Sequence, residues 1–173
     1  MAAVIGLLMA SGPLSRRAAA SPAFQRVTVQ PAAVSAAAVE ATTPAGRPIP
    51  ETSLIHPKEL AKLLAGPATA RPVLLHVGFE VLYRGGHIPG SSFVGTASRP
   101  EGLQALRTAT RKLPLAKPVV LYCGCCPWGD CPNMRPAYAA VASTGRKVKI
   151  LYIAQNLQKD WVDVGLPTVS GDR

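Results

Sequence analysis

Cysteine is absent from this chain everywhere except one short stretch, residues 123–131, which holds all four thiols. That distribution excludes a disulfide framework that staples distant segments together. Aromatic residues make up only 5% of the chain, so a core has to be built from Ala, Val, Leu and Ile. Acids are also few: nine Asp and Glu stand against nineteen Lys and Arg, a formal net charge of +10. No apolar run reaches the length of about 20 residues that crosses a bilayer, so stable membrane insertion is not expected. Internal repeats are lacking. The basic residues are scattered, with no aromatic-interleaved stripe and no nucleic-acid motif, so no nucleic-acid partner is expected. A diffuse positive field suits a small anionic ligand or simply a solvated surface.

The charge is spread along the chain. Residues 1–50 carry four Arg and one Glu, a balance of +3, which leaves +7 for residues 51–173. The apolar run Ala2–Ala10 and the small residues Ala18-Ala19-Ala20 give residues 1–20 the look of a secretory signal. Periplasmic or secreted localisation is the expectation. An organelle transit segment and an unprocessed cytoplasmic tail are the alternatives, since residues 1–39 contain no acid. Residues 21–50 read as an Ala/Pro-rich linker that cannot bury enough apolar surface to order itself. Residues 51–173 read as one domain.

Within that domain short apolar strands alternate with helical segments. Ser53–Ile55, Pro72–Val77, Phe93-Val94, Val119–Tyr122 and Val148–Ile153 read as strands. Pro57–Leu64, Glu101–Leu113, Met134–Thr144 and Asn156–Val164 read as helices, and Gly85–Gly90 as a turn-rich loop. The alternation predicts an α/β fold, a mainly parallel central sheet flanked by helices. In such sheets the reactive site lies at the carboxyl ends of the strands, where Cys123 stands.

The chemistry is concentrated in Cys123-Gly124-Cys125-Cys126-Pro127-Trp128-Gly129-Asp130-Cys131-Pro132-Asn133. A loop between a strand and a helix aims backbone N–H groups at one spot and adds the positive end of the helix. That setting lowers a thiol pKa and makes it a nucleophile. Cys125, Cys126 and Cys131 have three readings: redox partners that pair as disulfides, zinc or copper(I) ligands, or packing residues. Four ligands within nine residues is tight for a regular tetrahedral site, so no metal and no cofactor is assigned from the sequence. His87 and His76 read as structural histidines held by hydrogen bonds rather than as general bases.

Several segments together resemble a rhodanese domain. They are Leu74–Gly78, the motif Gly86-His87-Ile88-Pro89-Gly90-Ser91, Val119–Cys123, and the closing Trp161…Gly165-Leu166-Pro167. The resemblance covers residues 51–170 and implies a single rhodanese-like domain. It implies a sulfurtransferase that carries sulfane sulfur as a persulfide on the Cys ending the central strand, which by position is Cys123. Cys126 is the alternative nucleophile. Gly124, Cys125, Trp128 and Arg135 are the implied substrate-binding residues, with Arg135 as the oxyanion fork. The implied partners are a small anionic, thiosulfate-like sulfur donor and a thiol or cyanide acceptor.

Two features differ from the common family pattern. Its Asp-x-Arg after the second strand is His76-Val77-Gly78 here, and its active-site loop is enlarged and rich in Cys. A rhodanese-fold redox or metal-binding module without turnover is therefore the rival reading. Phosphatases of this fold use Cys-x5-Arg, and the residue six before Arg135 is Gly129, which argues against phosphate-ester chemistry.

Overall fold

The computed structural model describes Gly12 and residues 48–172. The expected targeting segment, Gly12 aside, and the linker up to residue 47 lie outside the described residues. Ile49, assigned to the linker from sequence, packs against the domain core.

Five strands form one parallel sheet in the order β1-β5-β4-β2-β3. They are β1 (Leu54–Ile55), β2 (Val73–His76), β3 (Ser91–Phe93), β4 (Val119–Tyr122) and β5 (Val148–Leu151). The helices are α1 (Pro57–Ala65), α2 (Glu80–Gly85), α3 (Pro100–Arg111) and α4 (Met134–Ala142). Pro57 and Pro100 open α1 and α3 at positions where the missing N–H has no helical partner to lose.

β4 is central and buried along its whole length. Its side chains alternate between two cores. Val119, Leu121 and Cys123 face a core shared with Leu106 of α3 and Met134, Ala137 and Val141 of α4. Val120 and Tyr122 face the other, with Leu60 of α1, Leu157 and Trp161. Coverage on both faces explains why this strand is a continuous apolar run.

Two points differ from the sequence reading. α2 is not anticipated there, where only Gly85–Gly90 is assigned to a loop, because residues 80–85 show no apolar stripe of helical period. The segment read as a helix over Asn156–Val164 is instead a π-helical turn at Gln158–Val162. Its five-apart bonds run from Asp163 N–H to Gln158 O and from Leu166 N–H to Trp161 O. Trp161 is fully buried, and its indole N–H donates to Pro167 O at 2.8 Å.

The Gly-His-Ile-Pro-Gly loop is tied to the central strand. Tyr122 Oη accepts from Ile88 N–H at 3.3 Å and lies 2.6 Å from Ser91 Oγ. His87 stacks on Tyr83 with ring centroids 3.8 Å apart, and its Nδ1 pairs with Tyr83 O at 2.8 Å. The motif is thus a structural clamp that ends on β4 just before Cys123.

A second clamp was not visible in the sequence. Arg146 is buried and donates to four carbonyls, those of Thr110, Leu113, Pro114 and Lys117. It holds the C-terminal end of α3 and the following turn against the start of β5. Carbonyls at a helix end are negatively polarised, so a guanidinium fits there.

Candidate functional site

After β2 the chain turns toward β3, and after β4 it turns the other way, toward β5. The ends of β2 and β4 therefore part, and a crevice opens between them. The residues on its two walls are His76–Gly78 and Cys123-Gly124. His76 Nδ1 accepts from Gly78 N–H at 3.4 Å, so its Nε2 carries the hydrogen and donates to Cys123 O at 2.7 Å. This one histidine fixes the start of the cysteine loop to the end of β2.

Gly78 explains a departure noted in the sequence. A Cβ there would lie 2.5 Å from Cys123 Sγ and 3.0 Å from the His76 ring. The sulfur occupies the space that a side chain at position 78 would take. Gly124 is constrained as well, with φ +85 and a Cβ site 2.9 Å from Leu157 Cβ. Leu157 N–H donates to Gly124 O at 2.9 Å, so the segment before the π-turn lies directly on the loop.

A cavity of about 490 Å³ opens over this point. His76, Cys123, Gly124 and Cys125 line its floor, Asn156 and Leu157 one side, and Val81 and Leu82 of α2 another. Among the described residues, no Lys or Arg lines it. Arg135, expected to bind the donor, is exposed on the first turn of α4 and does not line the cavity. Trp128 also stands off it, its side chain packed against the α3/α4 core and its backbone N–H donating to Ile153 O at 2.9 Å. Of the residues chosen from sequence, Cys123, Gly124 and Cys125 line the cavity. Cys126 joins them through Cys125, their sulfurs being 3.1 Å apart.

The thiols form a compact group, and none is in a disulfide. Cys123 and Cys131 are buried, at 4% and 3% exposure, while Cys125 and Cys126 are partly exposed. The Sγ atoms of Cys123, Cys125 and Cys131 all lie within 4.8 Å of one another, and Cys123 to Cys125 is 3.2 Å. Asn133 was not singled out from the sequence. Its Oδ1 accepts from Ser98 N–H at 2.8 Å, and its Nδ2 donates to Cys123 Sγ at 3.5 Å. It stands at the N-cap of α4 yet makes no side-chain cap bond. An Asn before an apolar helix reads as a cap, and that ordinary meaning hid it.

The ionisation pattern differs from the simple expectation. The Cys123 thiol is pushed up, first by donating a hydrogen bond to Cys131, then by burial. Cys131 is held down to about 5, chiefly by that same bond, with Asn133 N–H adding to it and burial opposing. Cys126 is pushed up to about 12, first by burial and then by its bond to Cys125. Of the four thiols, Cys131 is the one shifted toward the thiolate, while Cys123 and Cys126 are shifted toward the thiol. Neighbouring S–H donors stabilise the first charge and oppose a second.

His76 is lowered to about 4, because burial outweighs the bond to Cys123 O; the nearby His87 adds a little in the same direction. In the unfolded chain it titrates near 6.5. Between those values the unfolded chain binds more protons, so stability falls as pH drops from 6.5 to about 4. The contribution is of the order of 3 kcal/mol. Urea unfolding of His76→Gln beside the parent across this window should show the difference between them shrinking toward low pH. A constant difference would contradict a buried neutral His76.

No family model and no curated protein matches the sequence. Solved structures do resemble it. A thiosulfate sulfurtransferase from Pseudomonas aeruginosa matches 72% of this chain at 29% identity and TM-score 0.52; the chain spans only 21% of that enzyme's length. A full-length protein from Lactobacillus plantarum matches 69% of this chain and 88% of its own, at 21% identity and TM-score 0.54. A protein from Anabaena sp. matches 67% of this chain and 82% of its own, at 19% identity and TM-score 0.50. The solution structure of that Anabaena protein's domain is named a rhodanese-like domain.

Proposed function

Because this chain folds as a rhodanese-like domain, we propose that it is a sulfurtransferase whose sulfur carrier is Cys123. The observation that carries this reading is the position of Cys123 Sγ. It stands at the end of the central strand, on the floor of the cavity, with an amide donor from Asn133 on it.

The reaction needs a thiolate on Cys123, and Cys131 supplies it. The Cys131 sulfur lies within 4.8 Å of the Cys123 sulfur, and as a thiolate it takes the Cys123 proton as general base. Cys123 S⁻ then attacks the sulfane sulfur of a thiosulfate-like donor. The new S–S bond forms as the old one breaks, and sulfite leaves with the electron pair. The Asn133 amide stabilises the anionic persulfide. A thiol or cyanide acceptor next attacks the outer sulfur and returns Cys123 as a thiolate. The loop N–H groups and the diffuse positive charge of the domain draw the anion in, since among the described residues no cationic side chain lines the cavity.

A chemical stoichiometry tests this reading. Reduced protein mixed with thiosulfate and no acceptor should release one sulfite per chain in a single burst. The absence of any burst would count against it. Asn133→Asp keeps an acceptor for Ser98 N–H but removes the donor to sulfur. A hydrogen bond to a charged group contributes about 1.5–3 kcal/mol. The burst rate should therefore fall roughly 10- to 100-fold. An unchanged rate would leave Asn133 as a structural residue only.

Cys125 Sγ lies 3.2 Å from Cys123 Sγ, and this favours a second outcome for the persulfide. Attack by the Cys125 thiolate on the inner sulfur expels HS⁻ and leaves a Cys123–Cys125 disulfide, which an external thiol reduces.

A further inference from the structure

We propose that Cys123, Cys125 and Cys131 form a copper(I) site. Their three sulfurs make a triangle with every side within 4.8 Å and one side of 3.2 Å. Three thiolates around one ion, with metal–sulfur bonds of about 2.3 Å, stand roughly 4 Å from one another. Opening the short side requires only small side-chain rotations.

The donor set selects the ion. It is all sulfur, which favours soft metals over magnesium, calcium or manganese. His76 cannot join, because both ring nitrogens are committed, one to Cys123 O and the other to Gly78 N–H. The natural fourth ligand would be Cys126. Its sulfur is 3.1 Å from that of Cys125, the adjacent residue. It does not belong to the group of sulfurs that all lie within 4.8 Å of one another. A three-sulfur site suits copper(I), which is content with low coordination.

The supports are those of a built site. Cys123 is fixed by the end of β4 and Cys131 by the turn leading into α4, and both are buried. Asn133 donates to the Cys123 sulfur and so orients a ligand from outside the first ring of donors. Cys125, partly exposed, lines the cavity and provides the way in.

Copper and persulfide use the same sulfur, so each excludes the other. The site nevertheless stands on its own and needs no sulfur-transfer activity. Full-length reduced protein is titrated anaerobically with copper(I) buffered by bathocuproine disulfonate. Expected are one copper(I) per chain withdrawn from the chelator, a thiolate-to-copper absorption band in the ultraviolet, and three sulfur neighbours by X-ray absorption. Cys131→Ser should weaken binding at least tenfold, while Cys126→Ser leaves it unchanged. Should Cys131→Ser fail to fold, Cys125→Ser carries the same expectation, its side chain being partly exposed. No withdrawal of copper, equal binding by both ligand variants and parent, or a dependence on Cys126 would each overturn the proposal. The sulfite burst is measured on metal-free protein, so either result can fail without the other.

Discussion

Cys123→Ser is expected to abolish the proposed sulfur transfer. The hydroxyl has neither the acidity to lose its proton to Cys131 nor the capacity to hold a sulfane sulfur at neutral pH. Removal of a catalytic nucleophile commonly lowers the rate by many orders of magnitude, so a loss of at least about a thousandfold is expected. The fold should survive. Ser is slightly smaller than Cys, His76 bonds to the backbone carbonyl at this position, and the Gly78 pocket still accepts the side chain. Thiosulfate:cyanide turnover, measured beside the urea midpoint, separates loss of chemistry from loss of structure. Cys126→Ser is the decisive comparison, because Cys126 was the alternative nucleophile. It lies one sulfur further out and does not line the cavity. If Cys126→Ser removes the sulfite burst while Cys123→Ser retains it, the assignment is reversed.

Arg146→Ala has the largest expected effect on stability. The guanidinium is almost wholly buried and holds four carbonyls together. Truncation leaves those carbonyls without their donor and opens a void behind them. Losses of buried, hydrogen-bonded charge run to about 3–5 kcal/mol. Arg146→Lys should recover only part of this. A single ammonium cannot reach four acceptors, and the planar fork is the feature in use. Equilibrium unfolding in urea measures both. A cost below about 1 kcal/mol for Arg146→Ala would show that water replaces the side chain at this turn.

The parallel sheet was readable because its strands are short apolar runs bounded by Pro and Gly. Val119–Tyr122 matches the observed strand, since an apolar run of four residues after Pro118 is too short for a helix and rich in β-branched and aromatic residues. Its end pointed to Cys123, and the structure puts that residue on the cavity floor. Contacts between distant segments were not readable. Nothing local marks Arg146 as a clamp for residues some thirty positions earlier in the chain. Asn133 carries the local signature of a helix cap, and only the fold brings Ser98 and Cys123 to it. Arg135 could have been placed better. Met134, Ala137 and Val141 mark the buried face of α4, and a residue one step along from Met134 turns about 100° away from it. The pKa order of the thiols depends on burial and mutual contact, which spacing alone does not reveal.

The central claim is that Cys123 receives the sulfur. Its most direct test is fragmentation mass spectrometry of the peptide spanning the cysteine loop, after reduced, metal-free protein has been incubated with thiosulfate and quenched by alkylation. The account predicts a gain of one sulfur atom located between Tyr122 and Gly124. A sulfur found only on Cys125, Cys126 or Cys131, or no gain at all, would contradict it.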